Sequence, residues 1–298
     1  MSGKPRILIV GNAGQVGVEL QRSFADLADI VGVDRESVDL ADSHQVSALV
    51  RRIEPGIILN AAAYTAVDRA ESEPEVAYAV NAIAPRILAE EALRSNALLV
   101  HYSTDYIFDG AKLGPWTEQD TPAPLNVYGA SKLAGEEAIV QTGGRFLIFR
   151  TSWVYGPHGS NFLLTMLRLA RQRDSFSVVS DQIGSPTTSI ELARVTHQIV
   201  SGVIANGFGA QEDWAGLYHM TCSGSTSGCG FAQAIFARAG ELLDGKVPAV
   251  TPITSAEYPT PAKRPRNSVL SNAKLDACFG VRLASWEAAL DEVLLQLS

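Results

Sequence analysis

The chain has 298 residues, 46% of them hydrophobic, and a formal net charge of −8 from 24 Lys and Arg against 32 Asp and Glu. That content fills a full core in one large domain or two unequal ones. The acidic balance excludes non-specific binding to nucleic acid or to an anionic membrane, both of which need a basic footprint, while leaving room for an anionic small ligand at a helix N-terminus.

The three cysteines, Cys222, Cys229 and Cys278, show no Cys-x-x-Cys spacing, so neither a disulfide framework nor a zinc site is suggested. The apolar stretch after Met1 to Pro5 is too short for the core of a signal peptide, and no run approaches a membrane span. A soluble, cytoplasmic protein is expected.

Arg6 to Val10 is a β-branched run without alternation, the pattern of a strand buried on both faces of a parallel sheet. Gly11, Asn12, Gly14, Gln15, Val16 and Gly17 follow at once. The next helix places Val18, Leu20, Phe24 and Leu27 largely on one side, and Ile30 to Val33 then reads as a second strand ending in Asp34. In such a βαβ unit the glycines permit a tight turn and bring backbone N–H groups to a pyrophosphate at the positive end of the helix. Asp34 stands where an acid accepts from a ribose 2′-hydroxyl. Arg35 would suit a 2′-phosphate, so NADH and NADPH both stay open.

Ser43 to Ile53 reads as a helix capped by Ser43, and Ile57 to Asn60 as a third strand. The small residues Ala61, Ala62 and Ala63 at its end allow close approach of a flat ligand. Glu75 to Ser95 is helical in composition, with Pro85 predicting a kink or break. Leu98 to Tyr102 is the fourth strand; Ser103, Thr104 and Asp105 lie just past its end, where a hydroxyl can hydrogen-bond a substrate oxygen. Gly110 to Pro124 reads as a loop entering a helix that carries Tyr128 and Lys132 four residues apart. That spacing puts phenol and ammonium on one face, where the cation is expected to lower the phenol pKa from about 10. Phe146 to Arg150 is strand five. Five strands alternating with helices predict an α/β fold, a Rossmann-like doubly wound parallel sheet.

Beyond Arg150 the pattern loosens. It reads as a loop at Trp153 to Pro157, helices at Asn161 to Gln172, Glu191 to Val203 and Gly228 to Leu243, a short strand at Gly216 to Met220, and a proline-rich run from Thr251 to Arg266. The expected organisation is a dinucleotide-binding domain over residues 1–155. A smaller C-terminal α/β substrate lobe follows over residues 156–298, some of whose segments return to the main sheet.

Gly11-x-x-Gly14-x-x-Gly17, Thr104 and Tyr128-x-x-x-Lys132, in that order, resemble the extended short-chain dehydrogenase/reductases. A longer series resembles the dTDP-4-dehydrorhamnose reductase family within them: Asn60 to Ala63, Tyr102 to Tyr106, Pro124 to Gly129, Phe149 to Tyr155, Asp181 with Gln182, and Arg264 with Pro265. The resemblance spans nearly the whole chain. It implies reduction of the 4-keto group of dTDP-6-deoxy-L-lyxo-4-hexulose by NADPH or NADH, giving dTDP-L-rhamnose. Tyr128 would give the proton, Thr104 a second hydrogen bond, and Lys132 a hold on the nicotinamide ribose.

By position the resemblance also implies a cofactor site. Gly11, Asn12, Gly14, Gln15, Val16 and Gly17 would stand at the pyrophosphate, Asp34 at the adenosine ribose, Asp39 and Leu40 at the adenine, and Ala62, Ala63 and Thr65 toward the nicotinamide. Val67, Thr104, Asp105, Tyr128, Trp153, Gln182 and Arg264 would meet the sugar nucleotide. Some members of the family are described as magnesium-bridged dimers. Glu19 and Glu191 occupy matching places, with Asp291 and Glu292 as candidates for a third ligand, so a structural magnesium at a homodimer contact is a further expectation. Two other readings remain. One is a non-catalytic binding subunit like the regulatory subunit of methionine adenosyltransferase, against which the complete Thr104, Tyr128 and Lys132 set argues. The other is a nucleotide-sugar epimerase or dehydratase; dehydratases often carry an acid pair beside the hydroxyl, whereas here Asp105 is followed by Tyr106.

Overall fold

Six parallel strands frame the protein, which we describe from a computed structural model over residues 4–205 and 214–298. Of the expectations above, the reading of the extreme N-terminus at Met1 to Gly3 lies outside the described residues. The five expected strands are β1 (Arg6–Val10), β2 (Asp29–Val33), β3 (Ile57–Asn60), β4 (Leu98–Thr104) and β5 (Arg145–Thr151). Beyond them β6 (Val154–Tyr155) pairs with β9 (Thr187–Thr188), β7 (Ser175–Val179) with β12 (Ala249–Ile253), and β8 (Ile183–Gly184) with β11 (Thr226–Ser227). β10 (Gly216–His219) joins the main sheet beside β5, giving the order β10-β5-β4-β3-β1-β2.

The helices are α1 (Gln15–Phe24), α2 (Ser43–Ile53), α3 (Val67–Ala70), α4 (Pro74–Tyr78), α5 (Ala84–Ser95), α6 (Val127–Thr142), α7 (Phe162–Ala170), α8 (Ser189–Ala205) and α9 (Gly228–Arg238), followed by α10 (Ala273–Phe279) and α11 (Trp286–Leu297). Alternation along β1 sorts them into two layers. Ile7 and Ile9 join Leu20 and Phe24 of α1 and Leu192 and Val195 of α8 on one face. Leu8 and Val10 join Val46 and Val50 of α2 and Ile87 and Leu88 of α5 on the other. All of these are essentially inaccessible to solvent, and each contributes about 1.5–3 kcal/mol of apolar burial. Both faces being covered is why the strands read as continuous apolar runs.

Three local expectations change. Asp42, not Ser43, caps α2, accepting from the N–H groups of His44 and Gln45 at 2.9 and 3.2 Å. Both residues are short and polar, and only the backbone decides which stands at the boundary. The segment read as a loop at Trp153 to Pro157 contains β6. The proline-rich run begins inside β12; among the described residues this strand pairs only with β7, and since the Ala249 N–H points to β7 the Pro252 nitrogen, three residues on, points away, so its missing N–H costs no ladder bond. The break near Pro85 is present as a π-helical turn, Ala79–Ile83, between α4 and α5.

The strand order reverses at β1, which has β2 on one side and β3 on the other. This switch point opens a crevice at the carboxyl ends of the strands, where open α/β sheets bind ligands.

Candidate active site

Gly11 leaves β1 with φ +83°, and a Cβ there would press on the backbone of Ala62 at the end of β3. A Cβ at Gly17 would overlap the Gly11 carbonyl oxygen, so this glycine lets α1 start directly against the turn. Gly14 precedes the helix and makes no side-chain cap, which leaves the first-turn N–H groups available to an anion.

A cleft of about 740 Å³ extends from this turn. Its walls include Gly11, Gly14, Gln15, Val16, Asp34, Asp39, Leu40, Ala62, Ala63, Thr65, Tyr128 and Lys132, all expected at a cofactor. Asn12 and Gly17 stand behind the wall. The Asn12 side chain turns toward Gly32 of β2 and meets Gln21 Oε1 at 3.4 Å, while Gln21 Nε2 donates to the Asn12 carbonyl at 3.0 Å. Asp34 Oδ1 accepts from Ser37 Oγ at 2.9 Å and from the N–H groups of Glu36 and Ser37. These bonds, the Ser37 hydroxyl first, hold its carboxyl below the usual range, so it is ionised and fit to accept from a ribose hydroxyl. Arg35 lines the same end.

At the other end, Asn126 caps α6 by accepting from Gly129 N–H at 2.8 Å and ties it to the Lys263 carbonyl, also at 2.8 Å. One turn into the helix, Lys132 is only 1% exposed. Its Nζ donates to the Tyr102 carbonyl at 2.6 Å and lies 3.1 Å from His101 Nε2. Burial brings Lys132 down to about 8, opposed by Glu136. Burial first, then Lys132, holds His101 well below its ordinary value, so the imidazole is neutral. The expected lowering of the Tyr128 pKa is not found. Burial raises it, partly offset by a hydrogen bond with Thr104, because the ammonium is aimed at Tyr102 and His101 instead of the phenol. A firmly protonated phenol suits a proton donor.

Thr104 ends β4, and its Oγ1 accepts from Tyr106 N–H at 3.1 Å and donates to Asp105 Oδ1 at 3.0 Å. Asp105 Oδ2 accepts from Ser152 Oγ at 2.9 Å, past the end of β5. The remaining sugar-site candidates stand outside the dinucleotide cleft, on segments that meet near Asp105. Trp153 has the left-handed φ of +46°, and its indole lies where any side chain at Gly184 would fall. Gln182 Nε2 donates to Ser255 Oγ at 2.9 Å. Val67 opens α3, and Asp68 beside it grips Arg264 with both carboxylate oxygens, at 3.1 and 2.9 Å. Arg264 also donates to the Thr260 hydroxyl and the Ala262 carbonyl, so its planar fork is fixed in one orientation.

Two residues that sequence reasoning passed over, His101 and Thr151, line or back this site, together with Ser103, which the sequence placed beside Thr104 without a role of its own. His101 backs Lys132. Ser103 Oγ and Thr151 Oγ1 line the cleft, are buried, and have no hydrogen-bond partner among the described residues. Ser103 was in view as the neighbour of Thr104; Thr151 could not be found, since its place opposite Thr104 depends on the β4–β5 register. Open N–H donors at a helix N-terminus, an ionised acceptor at the tip of β2 and two spare hydroxyls are a set of polar groups that fits a nicotinamide dinucleotide.

Among the described residues no group of three or more His, Cys, Asp or Glu is arranged to hold a metal ion. Glu19 pairs with Arg22 at 3.0 Å and faces His158 at 3.5 Å. Glu191 is held by Arg194 at 2.6 Å and by the Ala284 N–H, and Asp291 pairs with Arg238. No helix among the described residues is long and apolar enough to cross a membrane.

The family described as "RmlD substrate binding domain" matches residues 5–298. The chain is 45% identical to a dTDP-4-dehydrorhamnose reductase of Burkholderia thailandensis, over 96% of each chain. It is 44% identical to one from Escherichia coli, covering 98% of this chain and 97% of that one. A solved structure of a dTDP-4-dehydrorhamnose reductase from Bacillus anthracis in complex with NADP superposes with a TM-score of 0.90 at 37% identity, covering 99% of this chain and 100% of that one. UDP-glucose 4-epimerase of Thermus thermophilus, at 20% identity and a TM-score of 0.75, shares the fold. With its full-length match and its Thr104, Tyr128 and Lys132 in place beside a dinucleotide cleft, the chain belongs to the dTDP-4-dehydrorhamnose reductase family.

Proposed function

We propose that this protein reduces the 4-keto group of dTDP-6-deoxy-L-lyxo-4-hexulose to give dTDP-L-rhamnose, with NADPH or NADH as reductant. The observation that carries the reading is that Tyr128 and Lys132 line the cleft that begins at Gly11, with Thr104 beside Tyr128. When bound, the reduced nicotinamide supplies hydride to the carbonyl carbon. Charge then builds on the ketone oxygen, which needs fixed donors and a proton. Tyr128 gives that proton, and Thr104 holds the oxygen while it is transferred. Lys132, anchored by Tyr102 and His101, binds the nicotinamide ribose.

Gln15 and the first-turn N–H groups of α1 hold the pyrophosphate, Asp34 the adenosine ribose, and Asp39 and Leu40 the adenine side. Arg35 and the Bacillus anthracis complex favour use of NADPH. Trp153, Gln182 and Arg264 belong to the sugar-nucleotide site, in a substrate lobe formed mainly by residues 156–298. A homodimer with magnesium between Glu19 and Glu191 is a separate proposal, since the ion would have to displace Arg22 and Arg194. Sedimentation with and without a chelator tests it. A cytoplasmic site of action accords with a substrate made from nucleotide sugars.

The deciding assay follows reduced-nicotinamide absorbance with coupled dTDP-4-keto sugar, run separately with NADPH and NADH. Sugar-dependent oxidation is expected. A protein that binds both ligands and transfers no hydride would overturn the reading in favour of a binding subunit. Cofactor that stays bound through purification would favour an epimerase.

A further inference from the structure

The loop between β6 and α7, residues 156–161, comes back from the second half of the chain onto the first turn of α1. Gly159 and Ser160 form part of the cleft wall together with Gln15. Gly159 has φ +75°, and a Cβ there would stand 3.2 Å from Gln15 Cγ, so the loop lies directly on the glutamine stem. At the end of the loop Asn161 Nδ2 donates to Gln15 Oε1 at 2.8 Å, across 146 positions of sequence.

Backbone groups settle which end of each amide faces the other. The Leu164 N–H can only donate, and it meets Asn161 Oδ1 at 3.0 Å in the N-terminal cap of α7. The carbonyls of Gly156 and His158 can only accept, and both face Asn161 Nδ2, at 2.9 and 3.3 Å. Asn161 therefore cannot turn over without losing all three bonds. Since its Nδ2 is fixed as the donor, the atom of Gln15 that meets it must be the oxygen. The two Nε2 hydrogens of Gln15 are left over, and among the described residues no acceptor takes them.

We propose that Asn161 is a positioning residue for the pyrophosphate of the bound dinucleotide: by holding Gln15 Oε1, it makes Gln15 present its Nε2 donors to the phosphate oxygens. The inference rests on the dinucleotide reading of the cleft given above. Phosphate oxygens only accept, so the opposite orientation of the Gln15 amide would set oxygen lone pairs against them. An unrestrained glutamine on the first turn samples both orientations. The Asn161 bond removes the wrong one before the ligand arrives, which lowers the ordering cost of binding. The dinucleotide cleft thus depends on a residue that lies beyond the first 155, at the start of α7.

The test is a double-mutant cycle in NADPH affinity, read by fluorescence titration, with Asn161→Ser and Gln15→Ala. Serine caps a helix about as well as asparagine, but its single short arm does not reach Gln15. Asn161→Ser is expected to weaken NADPH binding by about three- to tenfold, the worth of one hydrogen bond, and to have almost no effect when Gln15 is already replaced by alanine. A purely structural role for the cap would cost the same in both backgrounds. Asn161→Asp also keeps the cap but offers Gln15 only acceptors, which turns Nε2 away from the phosphate. Its added charge acts in both backgrounds, so its loss of affinity should be about tenfold greater with Gln15 present than in Gln15→Ala. Unchanged NADPH affinity in Asn161→Ser, or an equal loss in both backgrounds, overturns the proposal. If Asn161→Ser does not fold, equal losses for Asn161→Asp in the two backgrounds overturn it. Wild type that binds neither NADPH nor NADH defeats the dinucleotide reading itself, a distinct result.

Discussion

The two ends of the site are built in opposite ways. The dinucleotide end is backbone and small residues from one continuous stretch, Gly11 to Gly17, completed by the tips of β2 and β3. The sugar end is side chains from distant segments, tied by bonds such as Asp68 to Arg264, 196 positions apart. The first end depends on what is absent, since a Cβ at Gly11 or Gly17 would strike neighbouring backbone and open the turn. The second depends on hydrogen bonds whose partners must each be in place. Damage at the two ends should therefore read out differently, and the junction at Tyr128 and Lys132 should feel both.

The largest expected effect lies at that junction. Tyr128→Phe removes the proton donor and leaves the cleft wall intact, so turnover should fall by about 10²–10⁴-fold while NADPH affinity holds. Stopped-flow single turnover with fluorescence titration checks both; a parallel loss of cofactor binding would blur the division between the ends. At the dinucleotide end, Gly17→Ala drives a methyl into the Gly11 carbonyl. We expect about 1–3 kcal/mol of destabilisation and a weaker NADPH complex, read by denaturant midpoint and titration, with sugar KM little changed once cofactor is saturating.

The sugar end should give the mirror image. Arg264→Lys loses the planar fork that Asp68 holds, and the sugar KM should rise by about three- to tenfold with NADPH affinity unchanged. A shift in cofactor affinity would show that the 260–266 segment also shapes the dinucleotide cleft.

The smallest effect concerns Lys132, where activity and stability should move in opposite directions. Its ammonium titrates near 8 in the folded state against 10.5 when unperturbed, so between those values the native protein binds fewer protons than the unfolded chain. Raising the pH through that window therefore improves this residue's contribution to stability, while the site loses the cation proposed to meet the ribose. NADPH affinity should weaken between pH 7 and 9, and Lys132→Met should flatten that trend as well as the residue's share of the pH dependence of unfolding.

Much of the dinucleotide end was legible because its signals are local. A buried strand, a glycine turn, a helix and an acid at the next strand tip are read within 34 residues, and each follows from backbone sterics or burial. What spacing could not tell was which glycine faces a ligand. Gly17 turns out to be a packing residue, and Asn12 points away from the cleft, because both depend on how tightly α1 sits on β1. The phenol of Tyr128 departs from the expectation of its spacing for a related reason. Four-residue spacing puts Lys132 on the same face, but the direction of a flexible ammonium is set by what β4 offers it, here the Tyr102 carbonyl and His101.

By itself, then, the sequence determined the alternation of elements, the buried strands of the doubly wound sheet, the phosphate turn and the residue types of the catalytic group, since periodicity, glycine sterics and side-chain chemistry act over a few neighbouring positions. Only the tertiary structure decided that Ser103 and Thr151 leave spare hydroxyls in the cleft, that Arg264 is oriented by Asp68, and that Asp105 is buried against the hydroxyls of Thr104 and Ser152. Those facts depend on strand register and on contacts across more than a hundred positions, where the chain's local preferences carry no information and packing alone selects the partner.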